Sequence, residues 1–293
     1  MKPKQSRLKR RFQIQPYLWL LPSMIVFTVF TFYPFIQTIY KSLFIVNSTG
    51  VVKKFVGFEN YLYILKDEKF LIAIKNTLLF MLLTVPISKV LGFLLALLAN
   101  KRRKLSAIYE TSFALPMAMA TSVIAMIFQL LYVSPLGMIN GLTGLKIGWL
   151  TDSRYALLAV AAVQIWLSTG YAFVFMLSAV RAVSKDILES AELDGAGSWR
   201  KMISIYLPLT TPTMFYLIVT DLAYSMMVMG LVNVLTGGGP NNSTLTIMQY
   251  IYQQFAGAGN YTNANPAAVI AFLMTLVCTI LTFVWEKKGV HYQ

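Results

Sequence analysis

Charge is scarce in this chain. Only 12% of its 293 residues are Asp, Glu, Lys or Arg, roughly half of the ~25% typical of water-soluble domains. Too few charges are present to coat a globular surface. Cysteine is nearly absent as well. The single Cys278 excludes an intramolecular disulfide and any multi-cysteine metal site, and its apolar surroundings suit packing. The single histidine, His291, lies three residues from the end, so His clusters for metal binding or proton relay are excluded. No G-x-x-x-x-G-K-[ST] segment occurs, so the chain has no Walker-type nucleotide site of its own. Acids are the rarest charge: 11 against 25 Lys and Arg, a net charge of +14.

Apolar residues fill the space. They make up 57% of the chain, and the mean hydropathy is +0.64. A bilayer core about 30 Å thick needs roughly 20 apolar helical residues. Six stretches meet that length: about 17–40, 71–99, 107–132, 156–180, 212–235 and 267–285. Pro22, Pro34, Pro86 and Pro116 fall inside them, tolerable where neighbouring helices re-satisfy freed backbone groups. The first stretch is too long for a signal peptide and has no A-x-A-like site after it, so it reads as a retained span. The fold class expected is an all-α membrane protein of six transmembrane helices. Residues 1–16 form a basic tail and 17–293 a single transmembrane domain.

Lys and Arg placement orients it. Sixteen basic residues fall on one side: the N-terminal tail, the tetrabasic Lys101-Arg102-Arg103-Lys104, the 181–211 loop, and Lys287 with Lys288. Eight fall on the other, six of them (Lys41, Lys53, Lys54, Lys66, Lys69, Lys75) against the rule. The basic side of the membrane is expected to be cytoplasmic, with both termini inside. The basic patches then mark topology beside anionic lipid and not nucleic acid.

One cytoplasmic segment does not fit that pattern. Residues 181–211 hold four basic and four acidic residues, and Asp186, Glu189, Glu192 and Asp194 crowd into nine positions. Lipid headgroups would not favour those acids; a protein partner could. The segment reads as helix, turn, helix. Asp186 and Glu189 make a capping-box-like start, and Asp194-Gly195 breaks the first helix. Ser198 can cap the second, Trp199, Met202, Ile203 and Tyr206 share one face, and Pro208 ends it. An amphipathic helix lying on lipid is the plainer reading of the second arm, but not of the acidic first.

Glu189-Ser190-Ala191, then Gly195, then Ile205-Tyr206-Leu207-Pro208 resemble the "EAA" loop of importer-type ABC permeases. Ser190 stands for the middle Ala, and Ser184 where Pro is usual. The resemblance runs along nearly the whole chain. Gly57-Phe58-Glu59-Asn60-Tyr61, Asn76-Thr77-Leu78, Phe113-Ala114-Leu115-Pro116 and Thr236-Gly237-Gly238-Gly239-Pro240 look like carbohydrate-uptake permeases, with Glu110 departing from the usual Arg. It implies a transport subunit and not an enzyme. A second related permease would pair with it as a heterodimer, and two cytoplasmic ABC ATPases would carry ATP and Mg, with no cofactor on this chain. An external solute-binding protein would deliver a sugar or small polyol derivative such as glycerol phosphate. The ATPase-coupling residues it implies are Asp186, Glu189, Ala191, Glu192, Asp194, Gly195, Trp199 and Pro208.

Within the spans, Lys89 and Asp221 each lie roughly 15 Å from the cytoplasmic face. Buried charges pair, so these two are expected to form an ion pair or to line one aqueous cavity. Candidate substrate-path residues are Lys89, Gln129, Gln164, Trp166, Ser168, Tyr171, Thr220, Asp221, Tyr224 and Asn233, because sugar sites use amides, hydroxyls and aromatic faces. No metal site is expected. The uncharged segment 236–266 is expected to hold a short helix near 246–255 and to receive ligand or binding protein. Two other classes remain open at this point. A stand-alone secondary transporter would favour inverted repeats and ion ligands and would leave the acidic hairpin unexplained. A membrane-embedded transferase would need carboxylates or His clustered near the interface.

Overall fold

The computed structural model describes residues 4–101 and 105–289, with side chains described from residue 15 to 286 apart from the 102–104 gap. Arg102, Arg103, Lys104 and His291 lie outside the described residues. The chain begins with α1 (Lys4–Phe27), a π-turn (Thr28–Phe32) and α2 (Tyr33–Ser42). The basic residues from Lys4 to Arg11 thus continue the helix of the first span. An antiparallel hairpin, β1 (Phe44–Val46) and β2 (Val52–Phe55), leads into α3 (Glu59–Ile64) and the 33-residue α4 (Glu68–Asn100). After α5 (Ser106–Ala114) comes a 3-10 turn (Leu115–Ala118), then α6 (Thr121–Leu131), the short α7 (Met138–Thr143) and the long α8 (Ala156–Ala182). The last third runs through α9 (Lys185–Leu193), α10 (Ser198–Lys201), α11 (Leu207–Leu209), α12 (Thr211–Met226), α13 (Gly230–Leu235), α14 (Ile247–Tyr252) and α15 (Tyr261–Gly289).

Four helices are long and apolar enough to cross a membrane unbroken: Gln15–Ser42, Glu68–Asn100, Ala156–Ala182 and Tyr261–Glu286. Two more candidates are bent pairs. Ser106–Ala118 meets Thr121–Leu131 at 103°, and Ser198–Leu209 meets Thr211–Met226 at 66°. The expected span over 107–132 is therefore not a straight rod, and the 66° bend falls just before the expected span over 212–235. Pro116 lies in the first bend, where its ring removes a helical donor. The expected fifth span also stops at Met226 and resumes as α13 after a break at Met227 to Met229.

The core is built on α4 and α8, which cross so closely that a Cβ added at Gly92 would sit 2.6 Å from the Ala172 Cβ. Phe93, Ala96, Phe173, Met176 and Leu217 pack around this crossing and are buried. A second cluster ties α6, α8 and α13 through Ile124, Val160 and Leu231. A third ties α4, α14 and α15 through Phe70, Tyr250 and Ala267.

The uncharged segment 236–266 does contain the expected helix, α14, capped by the Thr246 side chain accepting from Gln249 N–H. It is not an open loop, however. Asn76 Nδ2 donates to the carbonyls of Asn242 and Leu245, Ile247 N–H donates to Thr77 Oγ1, and Leu245, Ile247 and Tyr250 are buried. The motif around Asn60 has a similar explanation. Its amide donates to the carbonyls of Ser42 and Phe44, tying α3 to the end of α2.

Candidate functional site

Two sites emerge at different levels of the bundle. The first is a cavity of about 310 Å³ between α8, α12 and the bend that joins α5 to α6. Its walls include six residues expected from sequence: Gln164, Ser168, Tyr171, Thr220, Asp221 and Tyr224. Pro116, Met117, Met119, Thr121 and Leu167 complete it. The first four come from the bend, which composition and periodicity do not reveal; the Pro at 116 was the available signal.

Behind the cavity wall the expected ion pair is formed. Lys89 Nζ donates to Asp221 Oδ2 at 2.8 Å, and the two residues are 3% and 8% exposed. Ser88 Oγ donates to the same oxygen at 3.2 Å, while Ser168 Oγ donates to Asp221 Oδ1 at 2.9 Å. Gln164 Nε2 in turn donates to Ser168 Oγ at 3.0 Å. Three helices, α4, α8 and α12, are thus joined through one carboxylate. A buried charge is tolerable only with such partners. Lys89 lies behind Asp221 and does not itself line the cavity.

Three expected path residues do not join this group. Gln129 is exposed on α6 beyond the bend and lines no part of the cavity. Trp166 faces away, 39% exposed, with its ring 5.6 Å from that of Phe128. Asn233 instead accepts from Gln249 Nε2 at 3.0 Å, bracing α13 against α14. The 103° bend turns α6 away, and helical periodicity along a straight span cannot anticipate that.

The second site is the α9–α10 hairpin, reached from the Asn100 end of α4. Its first helix starts on Ser184, whose hydroxyl accepts from Asp186 N–H at 3.2 Å. The cap is therefore Ser184 and not Asp186, and Ser184 supplies a bond that a proline there could not. The helix stops in a complete Schellman turn. Ala196 N–H donates to the Ala191 carbonyl at 2.8 Å, Gly195 N–H to that of Glu192 at 3.0 Å, and Gly195 has φ +74°. This explains the fixed offset between Ala191 and Gly195: the glycine must sit where the chain turns left-handed.

The second arm departs from expectation. Gly197 is the N-cap and Ser198 makes no capping bond there. Pro208 does not end the helix; it opens the short α11 after a π-turn (Met202–Tyr206), and the chain bends at Thr210. The expected apolar face is divided. Met202 and Tyr206 pack into the core, whereas Trp199 is 71% and Ile203 45% exposed. Asp186, Glu189 and Asp194 are exposed and Ala191 is half-buried. Glu192 accepts from Lys201 Nζ at 2.5 Å, bracing the two arms, and that ammonium holds the Glu192 carboxyl below the usual carboxylate range. At the base of the hairpin, Arg181 bonds Glu110 at 2.6 Å and the Ala99 carbonyl, joining α8, α5 and α4. Glu110 therefore has a structural role as the partner of Arg181.

Known proteins match this arrangement in sequence and shape. The family described as "binding-protein-dependent transport system inner membrane component" matches residues 89–287, which include Lys89, the cavity and the hairpin. The chain is 31% identical over 284 residues to the sn-glycerol-3-phosphate transport system permease protein UgpA of Agrobacterium fabrum, covering 96% of this chain and 97% of that protein. It is 29% identical over 285 residues to the probable ABC transporter permease protein YurN of Bacillus subtilis, covering 94% and 97%. Among solved structures, a bacterial alginate ABC transporter shares the fold with a TM-score of 0.83, at 23% identity over 97% of this chain and 96% of that one. The chain belongs to the family of binding-protein-dependent transport system inner membrane components, and it is a multi-pass permease of an ABC importer.

Proposed function

We propose that six helices cross the bacterial plasma membrane, counting the bent pair Ser106–Ala118 with Thr121–Leu131 as one span and α12 with α13 as another, with both termini and the α9–α10 hairpin in the cytoplasm. A second, related permease completes the translocation path as a heterodimer. Each permease docks its hairpin on one of two ABC ATPases, which hold the ATP and Mg. An external solute-binding protein delivers a sugar or small polyol derivative, which passes along the cavity beside Asp221.

The observation that carries the coupling role is the exposed, rigidly closed hairpin. Leu193 at 90% and Trp199 at 71% stand in solvent on either side of the Schellman turn. Apolar side chains beside four acids on a preformed turn support a protein groove better than a lipid surface. ATP-driven closure of the ATPases would move the hairpin and its attached helices as a rigid body, switching access to the path.

Affinity purification of the tagged chain from its own cells tests the docking. An ABC ATPase is expected to co-purify, and Leu193→Asp with Trp199→Asp is expected to release it while the chain stays in the membrane. Undiminished ATPase recovery with the doubly substituted chain, or uptake by the wild-type chain alone, would overturn the assignment.

A further inference from the structure

The charge pattern around the cavity restricts what can enter it, and this step rests on the proposed reading of the cavity as part of the solute path. Among the described residues no Lys, Arg or His lines the wall. Its one charged lining residue is Asp221. The ammonium of Lys89 points to Oδ2 from behind and is 3% exposed, so the pair is neutral as a whole but turns its negative end to the cavity.

A carboxylate offers about four acceptor sites. Lys89 and Ser168 occupy two of those on Asp221, and Ser88, whose one hydroxyl hydrogen is shared with the Val85 carbonyl, takes part of a third, leaving at least one for a ligand. Thr121, Gln164, Thr220 and two tyrosines supply the remaining polar side chains of the wall, with methionine, leucine and proline between them. Such a wall can exchange hydrogen bonds with hydroxyls and cover C–H faces. A phosphate or carboxylate needs cations or several converging N–H donors and would find a carboxylate and phenols. The volume of about 310 Å³ is at the small end of ligand cavities.

We infer that this chain's wall of the path favours neutral, hydroxyl-rich solutes and disfavours anionic ones. Asp221 accepts a hydrogen bond from a hydroxyl of the solute, and Lys89 is the positioning residue that holds the carboxylate in place. The solute of this chain then differs in charge from the sn-glycerol-3-phosphate named for its relatives.

The charge selectivity can be read without knowing the solute. In the assembled transporter, Cys278→Ser removes the one native cysteine of this chain, and Thr220→Cys places a reporter on the cavity wall. Methanethiosulfonate reagents of similar size, bearing a hydroxyl, a sulfonate or a trimethylammonium group, are then compared by the mass gained by this chain. Rates are normalised to Leu136→Cys, a position 91% exposed. The sulfonate reagent is expected to react about tenfold more slowly than the hydroxyl reagent at Thr220→Cys. Asp221→Asn is expected to remove most of that difference. Equal rates in the parent, or no reaction with any reagent, would overturn the inference.

If Asp221→Asn does not assemble, Lys89→Gln with Asp221→Asn removes both charges and serves the same comparison, and Tyr224→Cys is the second reporter. The path reading is tested separately by the ATPase activity stimulated by the loaded binding protein. Modification by the hydroxyl reagent is expected to abolish that stimulation. Full stimulation after complete modification would reject the path reading, while the relative rates would still decide the charge selectivity.

Discussion

Lys89, Ser88, Asp221, Ser168 and Gln164 are buried and bonded to one another, whereas Asp186, Glu189, Asp194 and Trp199 on the hairpin stand in solvent. Both regions are helical and both carry charge, yet the charges do different things. In the bundle one carboxylate on α12 organises three helices by accepting hydrogen bonds from side chains of α4 and α8. In the hairpin the backbone turn supplies the rigidity, and most of the acids are left free for a partner. The bundle is expected to fail when a partner is removed; the hairpin is expected to keep its fold and lose only coupling.

The largest effect should come from splitting the buried pair. Lys89→Met leaves the buried Asp221 carboxyl without its ion partner, which costs about 3–5 kcal/mol. Thermal melting of the purified complex should show a large loss, largely recovered when Asp221→Leu is added. A single substitution that melts like wild type would mean that the pair contributes nothing to the bundle. Next is the α4–α8 crossing. Because a Cβ at Gly92 would meet Ala172 at 2.6 Å, Gly92→Ala should cost about 1–3 kcal/mol through overpacking, measured in the same melt, and Gly92→Leu should prevent assembly.

The hairpin should respond differently. Gly195 has open space around it but φ +74°, so Gly195→Val meets backbone strain of roughly 1–2 kcal/mol and no clash. The bundle should melt normally while solute-stimulated ATPase and uptake fall together. Gly195→Asn, better suited to a left-handed turn, should retain more of both. Preserved stimulation and uptake in Gly195→Val would contradict the coupling role. The smallest effect concerns Glu192. Lys201 lowers its carboxyl below the ordinary value, so the brace is complete above that ordinary value and is lost only as pH falls through the lowered one. Hydrogen exchange of the hairpin amides should be insensitive to protonation of Glu192 from pH 8 to about 6. Glu192→Gln should raise exchange modestly across that range.

The sequence was most informative where a residue type has few physical options. A lysine and an aspartate at one depth of an apolar bundle must pair or share a wet cavity, and these two pair; a glycine at a fixed distance after a helical motif turns the chain. The bends were harder to foresee. Pro116 marks one of them, but proline inside a span is compatible with a straight or a bent helix, and neighbouring contacts decide which. That ambiguity misplaced Gln129, and it hid Met117 and Met119 as cavity residues. Ser184 was noted only as a departure from the family pattern, although its hydroxyl is what caps α9. Asn233 and the Asn242–Ile247 part of the segment 236–266 look open to ligand because they are polar and uncharged; long-range bonds to Gln249, Asn76 and Thr77 tie them into the fold instead.

The two bent helix pairs also differ as conduits for force. A displacement directed along Ser198–Leu209 keeps a forward component along Thr211–Met226, because the angle between them is 66°. At 103° the component of a displacement along Ser106–Ala118 that reaches Thr121–Leu131 is about half as large and reversed in sign. That elbow lies against Gly170, where an added Cβ would lie 3.1 Å from the Phe113 carbonyl. A push on the hairpin would thus be passed forward into α12, the helix that carries Asp221, whereas a push on α5 would not be passed forward into α6.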